Sequence, residues 1–343
     1  MRFARTAFLF LFLSFLSFSI FTSLGRCSSF PVPTTVSKKM QSLIAANPPD
    51  FWNLHPKNLQ EWKDFSDGFY KSVSATLPKL IKKFNVSIES GDMAGVPVFT
   101  ITPHKKFSDK NDFILLHLHG GGYVLGKGKS GIPEGIMMSG FGGFKVLSVD
   151  YRMAPEYPYP AALDDAVTVY KELLKKYSSK KIGVFGTSTG GGMTLALVLR
   201  LKKEKLPLPG AIAPGTPWSD LSCTGDSYYT NEHIDNVLVS YDGWLGEAAK
   251  VYADGHNLKD PMLSPVYGNV EGFPPTLLTS GTRDLFLSNT VRMQKKLLEA
   301  GVDVRLIVFE GLSHAQYYLL PDSPETAFHF RQLKLFFIKN LHL

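Results

Sequence analysis

From about Gly95 onward, short apolar runs rich in β-branched residues alternate with segments whose apolar positions recur every three or four residues. Val96–Thr102, Phe113–His119 and Phe144–Val149 read as strands, and the spacing of Ala, Val and Leu across Pro160–Tyr177 predicts a helix. Ile182–Phe185 reads as a short buried strand, followed by an Ala- and Leu-rich helix over Gly190–Leu201. Ala211–Ala213 and Thr276–Thr279 are further apolar strands, each closed by turn residues. Thr290–Ala300 is amphipathic and stops at Gly301, Val304–Phe309 is a last strand, and Glu325–Leu341 is a closing helix. Strands that alternate with helices in this way predict an α/β fold, a mostly parallel central sheet covered by helices on both faces.

Two stretches break the alternation. Residues 36–90 look helical and carry Phe51, Trp52, Trp62, Phe65, Phe69 and Tyr70, while residues 222–258 set Tyr228, Tyr229, Tyr241, Trp244 and Tyr252 among polar positions. Both are expected to fold as a helical cap, their aromatics packing a core or lining a pocket. Upstream, Arg2 and Arg5 precede a stretch without charge from Ala7 to Leu24, rich in Phe and Leu. This reads as an export signal cut before Arg26 or, at about 18 residues, as a retained membrane anchor. The expected organisation is therefore a signal or anchor over 1–25, an N-terminal helical segment over 26–94, and a main domain over 95–343 with a cap insertion at about 222–258. An exported protein is expected, whether periplasmic, secreted or membrane-anchored.

Composition changes this picture little. The chain has 343 residues, 44% of them hydrophobic, enough for one large core and a cap. The formal net charge of +7 is partly carried by short lysine groups such as Lys82-Lys83 and Lys202-Lys203, interleaved with apolar residues as on a solvated helix face. No nucleic-acid motif accompanies it, so no nucleic-acid partner is expected. Cys27 and Cys223, the only two cysteines, supply neither a disulfide framework nor metal-ligand spacing.

The chemistry concentrates in four places. Gly186-Thr187-Ser188-Thr189-Gly190 lies between a strand and a helix, the setting of a sharp turn that exposes a serine nucleophile. Flanking glycines are needed there because side chains would strike neighbouring backbone. His119-Gly120-Gly121-Gly122 ends a strand, and its consecutive glycines leave N–H groups free for an oxyanion. Gly120 and Gly121 are the expected donors, completed by the N–H of Thr189; His119 itself is expected to support the loop. A serine hydroxyl needs a base, and the base an orienting acid. Asp284 follows the strand Thr276–Thr279 and His314 follows Val304–Phe309, so both fall on loops at the sheet edge where open α/β sheets place their sites. The remaining histidines precede the serine, lie within elements or belong to the cap and tail; Asp260 and Asp220 are the fallback acids.

Together these segments resemble the hormone-sensitive-lipase-like branch of the α/β-hydrolases, over about Phe113 to Tyr318. Tyr151-Arg152-Met153-Ala154-Pro155-Glu156, Thr216-Pro217-Trp218-Ser219-Asp220-Leu221 and Asp260-Pro261-Met262-Leu263-Ser264-Pro265 are similar to segments of that family. The resemblance implies an α/β-hydrolase fold with a helical cap and a triad of Ser188, Asp284 and His314. It also implies hydrolysis of short or medium acyl esters, or of lactones, through an acyl-enzyme, with no cofactor and no metal. The expected partner is thus a small-molecule ester or lactone, with membrane association only through the N-terminal segment. Three positions depart from the family pattern. Thr189 stands where the family has alanine and would crowd the oxyanion site, Thr187 replaces an aspartate, and Ser288 stands where a second acid often follows the catalytic one. The contrasting expectation is a ligand-binding protein on a hydrolase scaffold, against which the filled Ser, Asp and His positions argue.

Overall fold

The computed structural model describes residues 30–108 and 112–343; the expected signal or anchor and Cys27 lie outside them. Three helices come first, α1 (Lys38–Ile44), α2 (Leu59–Ser74) and α3 (Leu77–Phe84). Ser37 and Asn58 begin the first two by accepting the N–H of Met40 and Glu61, satisfying donors a helix start leaves open. Then follow β1 (Val86–Met93), β2 (Val96–Pro103), β3 (Ile114–Leu118), α4 (Pro133–Gly142), β4 (Val146–Val149), α5 (Ala161–Leu174), β5 (Ile182–Thr187), α6 (Thr189–Lys203) and β6 (Ala211–Gly215). An insertion with α7 (Ser227–Thr230) and α8 (Trp244–Ala253) precedes β7 (Thr276–Gly281), α9 (Leu287–Glu299), β8 (Val304–Phe309), α10 (Gln316–Leu319) and α11 (Pro324–Asn340).

The strands form one eight-stranded sheet in the order β1-β2-β4-β3-β5-β6-β7-β8. Only β2 runs against its neighbours; from β4 to β8 every pairing is parallel. Alternation along the strands feeds two cores. Ile114, Leu116 and Leu118 of β3 join one cluster with residues of α5 and α6, while Leu115 faces the other with α4 and α11. Both faces are covered, as the apolar strand runs predict.

Besides the one-turn α10, β1 and α4 have no counterpart in the sequence pattern. β1 is an edge strand mostly exposed along its length, so it lacks an apolar rhythm and falls at the end of a stretch that reads as helical. α4 is buried on nearly all sides, and a helix without a polar face leaves no amphipathic signature. Of the N-terminal helices, α2 joins the insertion through Phe65, whose ring lies 5.7 Å from that of Trp244 in α8. α3 packs instead on α4 and β1, at the flank of the sheet. Trp62, Phe65, Tyr228, Trp244 and Tyr252 are buried, whereas Tyr229 is 71% exposed. No helix among the described residues is long and apolar enough to cross a membrane.

Candidate active site

Ser188 sits where β5 turns into α6, with φ +65° and ψ −124°. A non-glycine residue holds such a conformation only when its surroundings over-determine it. Here the backbone does so: the Ser188 N–H donates to Gly215 O (2.9 Å), and its carbonyl accepts the N–H of Gly192 (2.9 Å) and of Trp218 (3.0 Å). The two flanking glycines answer to close approach. A Cβ at Gly186 would lie 2.0 Å from Leu118 O, and one at Gly190 only 1.9 Å from the same oxygen. The turn is thus pressed against the end of β3.

That strand end continues into the glycine loop. A Cβ at Gly120 would stand 2.8 Å from Thr187 O and 3.3 Å from the Ser188 Cβ, which places this glycine directly beside the serine. Gly121, at φ +122°, turns the chain so that its carbonyl accepts from Val124 (3.1 Å) and Leu125 (2.8 Å). Gly122 answers to the cap, since a Cβ there would meet the Trp244 ring at 2.7 Å. Among the described residues, no hydrogen bond engages the N–H groups of Gly120, Gly121 or Thr189. Three free donors beside one hydroxyl are what a developing oxyanion requires.

Thr189 is bound to this glycine loop. Its side chain is fully buried and its hydroxyl accepts the Gly122 N–H at 3.2 Å, turned into the loop it supports. His119 is likewise structural. Its ring stacks on Tyr151 with centroids 4.0 Å apart, and Nδ1 donates to Gly120 O at 2.8 Å. Burial pushes the ring down to about 3, so it stays neutral.

On the facing loops, Asp284 and His314 meet. His314 Nδ1 lies 3.0 Å from Asp284 Oδ1, with His314 96% and Asp284 wholly buried. Asp284 is held by several donors: the N–H of Phe286 (2.8 Å) on Oδ1, and the hydroxyls of Ser280 (2.8 Å) and Thr216 on Oδ2. The Phe286 ring stands edge-on to His314, 4.8 Å between centroids. A carboxylate bound to Nδ1 fixes the tautomer and leaves Nε2 to accept a proton. Thr216 connects the two halves of the site. It follows Gly215, whose carbonyl holds the Ser188 N–H, and its hydroxyl touches both Asp284 and His314 Nδ1 (3.3 Å).

The fallback acids are committed elsewhere. Asp220 pairs with Arg292 at 2.6 Å and accepts the Tyr267 hydroxyl at 2.8 Å, while Asp260 closes a turn through the Met262 N–H at 2.8 Å. Two acids that sequence reasoning passed over do reach the site. Glu134 accepts the Thr187 hydroxyl at 2.7 Å and pairs with buried His117 at 3.2 Å beneath the serine turn. Asp235, from the insertion, accepts the His314 N–H at 3.2 Å. Neither stands in a motif, because the contacts that bring each to the site span 17 or more positions. Among the described residues, no group of three or more His, Cys, Asp or Glu is arranged to hold a metal.

A family model described as the alpha/beta hydrolase fold matches residues 115–318. An acetyl-hydrolase of Streptomyces hygroscopicus is 32% identical over 212 residues, which is 62% of this chain and 70% of that protein. The crystal structure of an esterase superposes with a TM-score of 0.88 at 40% identity, covering 94% of this chain and 99% of the other. An esterase from the bacterial hormone-sensitive lipase family superposes at 0.74 with 28% identity, over 84% and 93% of the two chains.

Proposed function

The chain belongs to the α/β-hydrolase family, in its hormone-sensitive-lipase-like branch, and from that premise we propose that Ser188, His314 and Asp284 form the triad of a carboxylic ester hydrolase. In this reading, His314 Nε2 takes the Ser188 proton as Oγ attacks the ester carbonyl. The carbonyl oxygen becomes an oxyanion held by the N–H groups of Gly120, Gly121 and Thr189. Collapse breaks the C–O bond to the alcohol, which leaves with the proton from His314. Water then gives its proton to His314 and attacks the acyl-serine, releasing the acid and restoring the hydroxyl. Asp284 orients the imidazole and balances its charge without taking the proton. The observation that carries this reading is the Asp284–His314 pair at 3.0 Å, tied through Thr216 to the strand that holds the Ser188 N–H.

Short to medium acyl esters are the proposed substrates, and lactones enter the same scheme with the alcohol tethered to the acyl group. The buried Trp244 ring of the insertion packs against Gly122, next to the proposed donors, which supports a compact acyl chain. Export is proposed from Arg2, Arg5 and the stretch Ala7–Leu24, and N-terminal sequencing of the protein recovered from its host checks it. The decisive experiment is a panel of p-nitrophenyl esters and lactones of graded size, run on the wild type and Ser188→Ala. Turnover in the wild type that drops about 10⁴-fold or more in Ser188→Ala is expected. A wild type that binds these compounds without turning them over would favour the ligand-binding reading instead.

A further inference from the structure

Asp235 has no part in the scheme above, yet it is fully buried at the centre of the site's polar framework. Its Oδ1 accepts the N–H groups of Val237 (2.8 Å) and Leu238 (3.1 Å), which closes its own turn. Its Oδ2 accepts the N–H of Leu285 (2.8 Å), the residue after Asp284, and that of His314 itself (3.2 Å). One oxygen thereby joins the acid loop to the histidine loop. The neighbouring Asn236 extends this clasp. Its N–H donates to Ser313 Oγ (3.1 Å), its Oδ1 accepts from Gln316 (2.7 Å), and its Nδ2 reaches the carbonyls of Leu43 and Ala46, both at 2.9 Å.

Burying a carboxylate without a cation is costly, and four N–H groups offset only part of that cost. Burial and the nearby Asp284 push Asp235 up to about 6, while His314 pulls it down. Those two are the titratable groups that face it, from the acid loop and the histidine loop; Glu232, on its own segment, is engaged by the Ser240 hydroxyl at 2.5 Å. A neutral acceptor could close the same turn more cheaply. What the carboxylate adds is negative charge beside a ring that becomes positive in catalysis.

We propose that Asp235 is a positioning residue of the hydrolytic site, a second carboxylate that fixes the backbone of His314 and favours its protonated form as Ser188 attacks. This inference rests on His314 being the base. The test is Asp235→Asn in the full chain, with kcat and KM for p-nitrophenyl butyrate measured across pH, and circular dichroism to check the fold. A kcat lower by about 10- to 100-fold is expected, with KM within about threefold, and an acid limb of kcat/KM moved down by about half a pH unit or more. A folded variant whose acid limb stays in place overturns the proposal, whatever its rate, since a merely structural acceptor would not move that limb. If that variant does not fold, Asp235→Ser, a smaller neutral acceptor, is carried through the same pH series, where a lowered acid limb is expected and an unmoved limb overturns the proposal. Turnover surviving in Ser188→Ala would instead overturn the triad, and this inference with it.

Discussion

The serine side and the histidine side of the site are built by different means. Ser188 is fixed almost entirely by backbone: three main-chain hydrogen bonds and two glycines pressed on Leu118 O hold the turn against the central strands. His314 and Asp284 are fixed largely by side chains, Thr216 and Asp235 from distant segments and Ser280 from the strand just before the acid. Sterics of the first kind are unforgiving, because close-packed backbone cannot yield by rotating a side chain. Polar support of the second kind is shared among several donors, so removing one leaves the rest. The nucleophile is therefore a property of the folded core, whereas the base and acid are a property of how three loops meet.

This contrast can be broken at its hardest point first. Gly190→Ala puts a Cβ 1.9 Å from Leu118 O, and the fold is expected to lose about 4 kcal/mol or more, read by thermal or denaturant unfolding. A variant as stable as the wild type would mean that the turn yields. On the other side, Thr216→Val removes a hydroxyl from Asp284 and His314 while Ser280 and Phe286 still hold the acid. Here kcat is expected to fall about tenfold for a stability loss of about 1–2 kcal/mol. Equal damage to fold and rate at both sites would erase the distinction.

Another histidine, on α11, takes no part in either half. His329 is buried with neither ring nitrogen bonded, and burial pushes it down to about 3. Unfolding releases it to take up a proton below its ordinary value near 6.5, so the unfolded chain binds more protons between pH 6.5 and 3. Stability is then lost as pH falls through that window. His329→Leu is expected to be near neutral at pH 8 and more stable than the wild type by about 1–2 kcal/mol at pH 5, measured by urea titration at both values.

Much of the architecture was legible in the chain because its signals are local. Strand runs from Val96 to Phe309 carry their own apolar rhythm, and Ser188, Gly120 and Gly121 stand in short motifs whose spacing encodes a turn. β1 and α4 were not legible, the one too exposed and the other too buried to leave a period. Nor was the partner of the Thr189 hydroxyl legible, since Gly122 lies 67 positions away.

The sequence by itself determined the succession of strands from Val96 to Phe309, the sharp turn at Ser188 and the glycine run that frees its donors, because each depends on residues within a few positions of one another. Only the tertiary structure decided that Asp284 rather than Asp220 or Asp260 meets His314, and that Asp235 and Asn236 clasp the loops from the insertion. Those choices are made by hydrogen bonds between groups far apart in the chain, whose geometry exists only after the sheet and its loops have assembled.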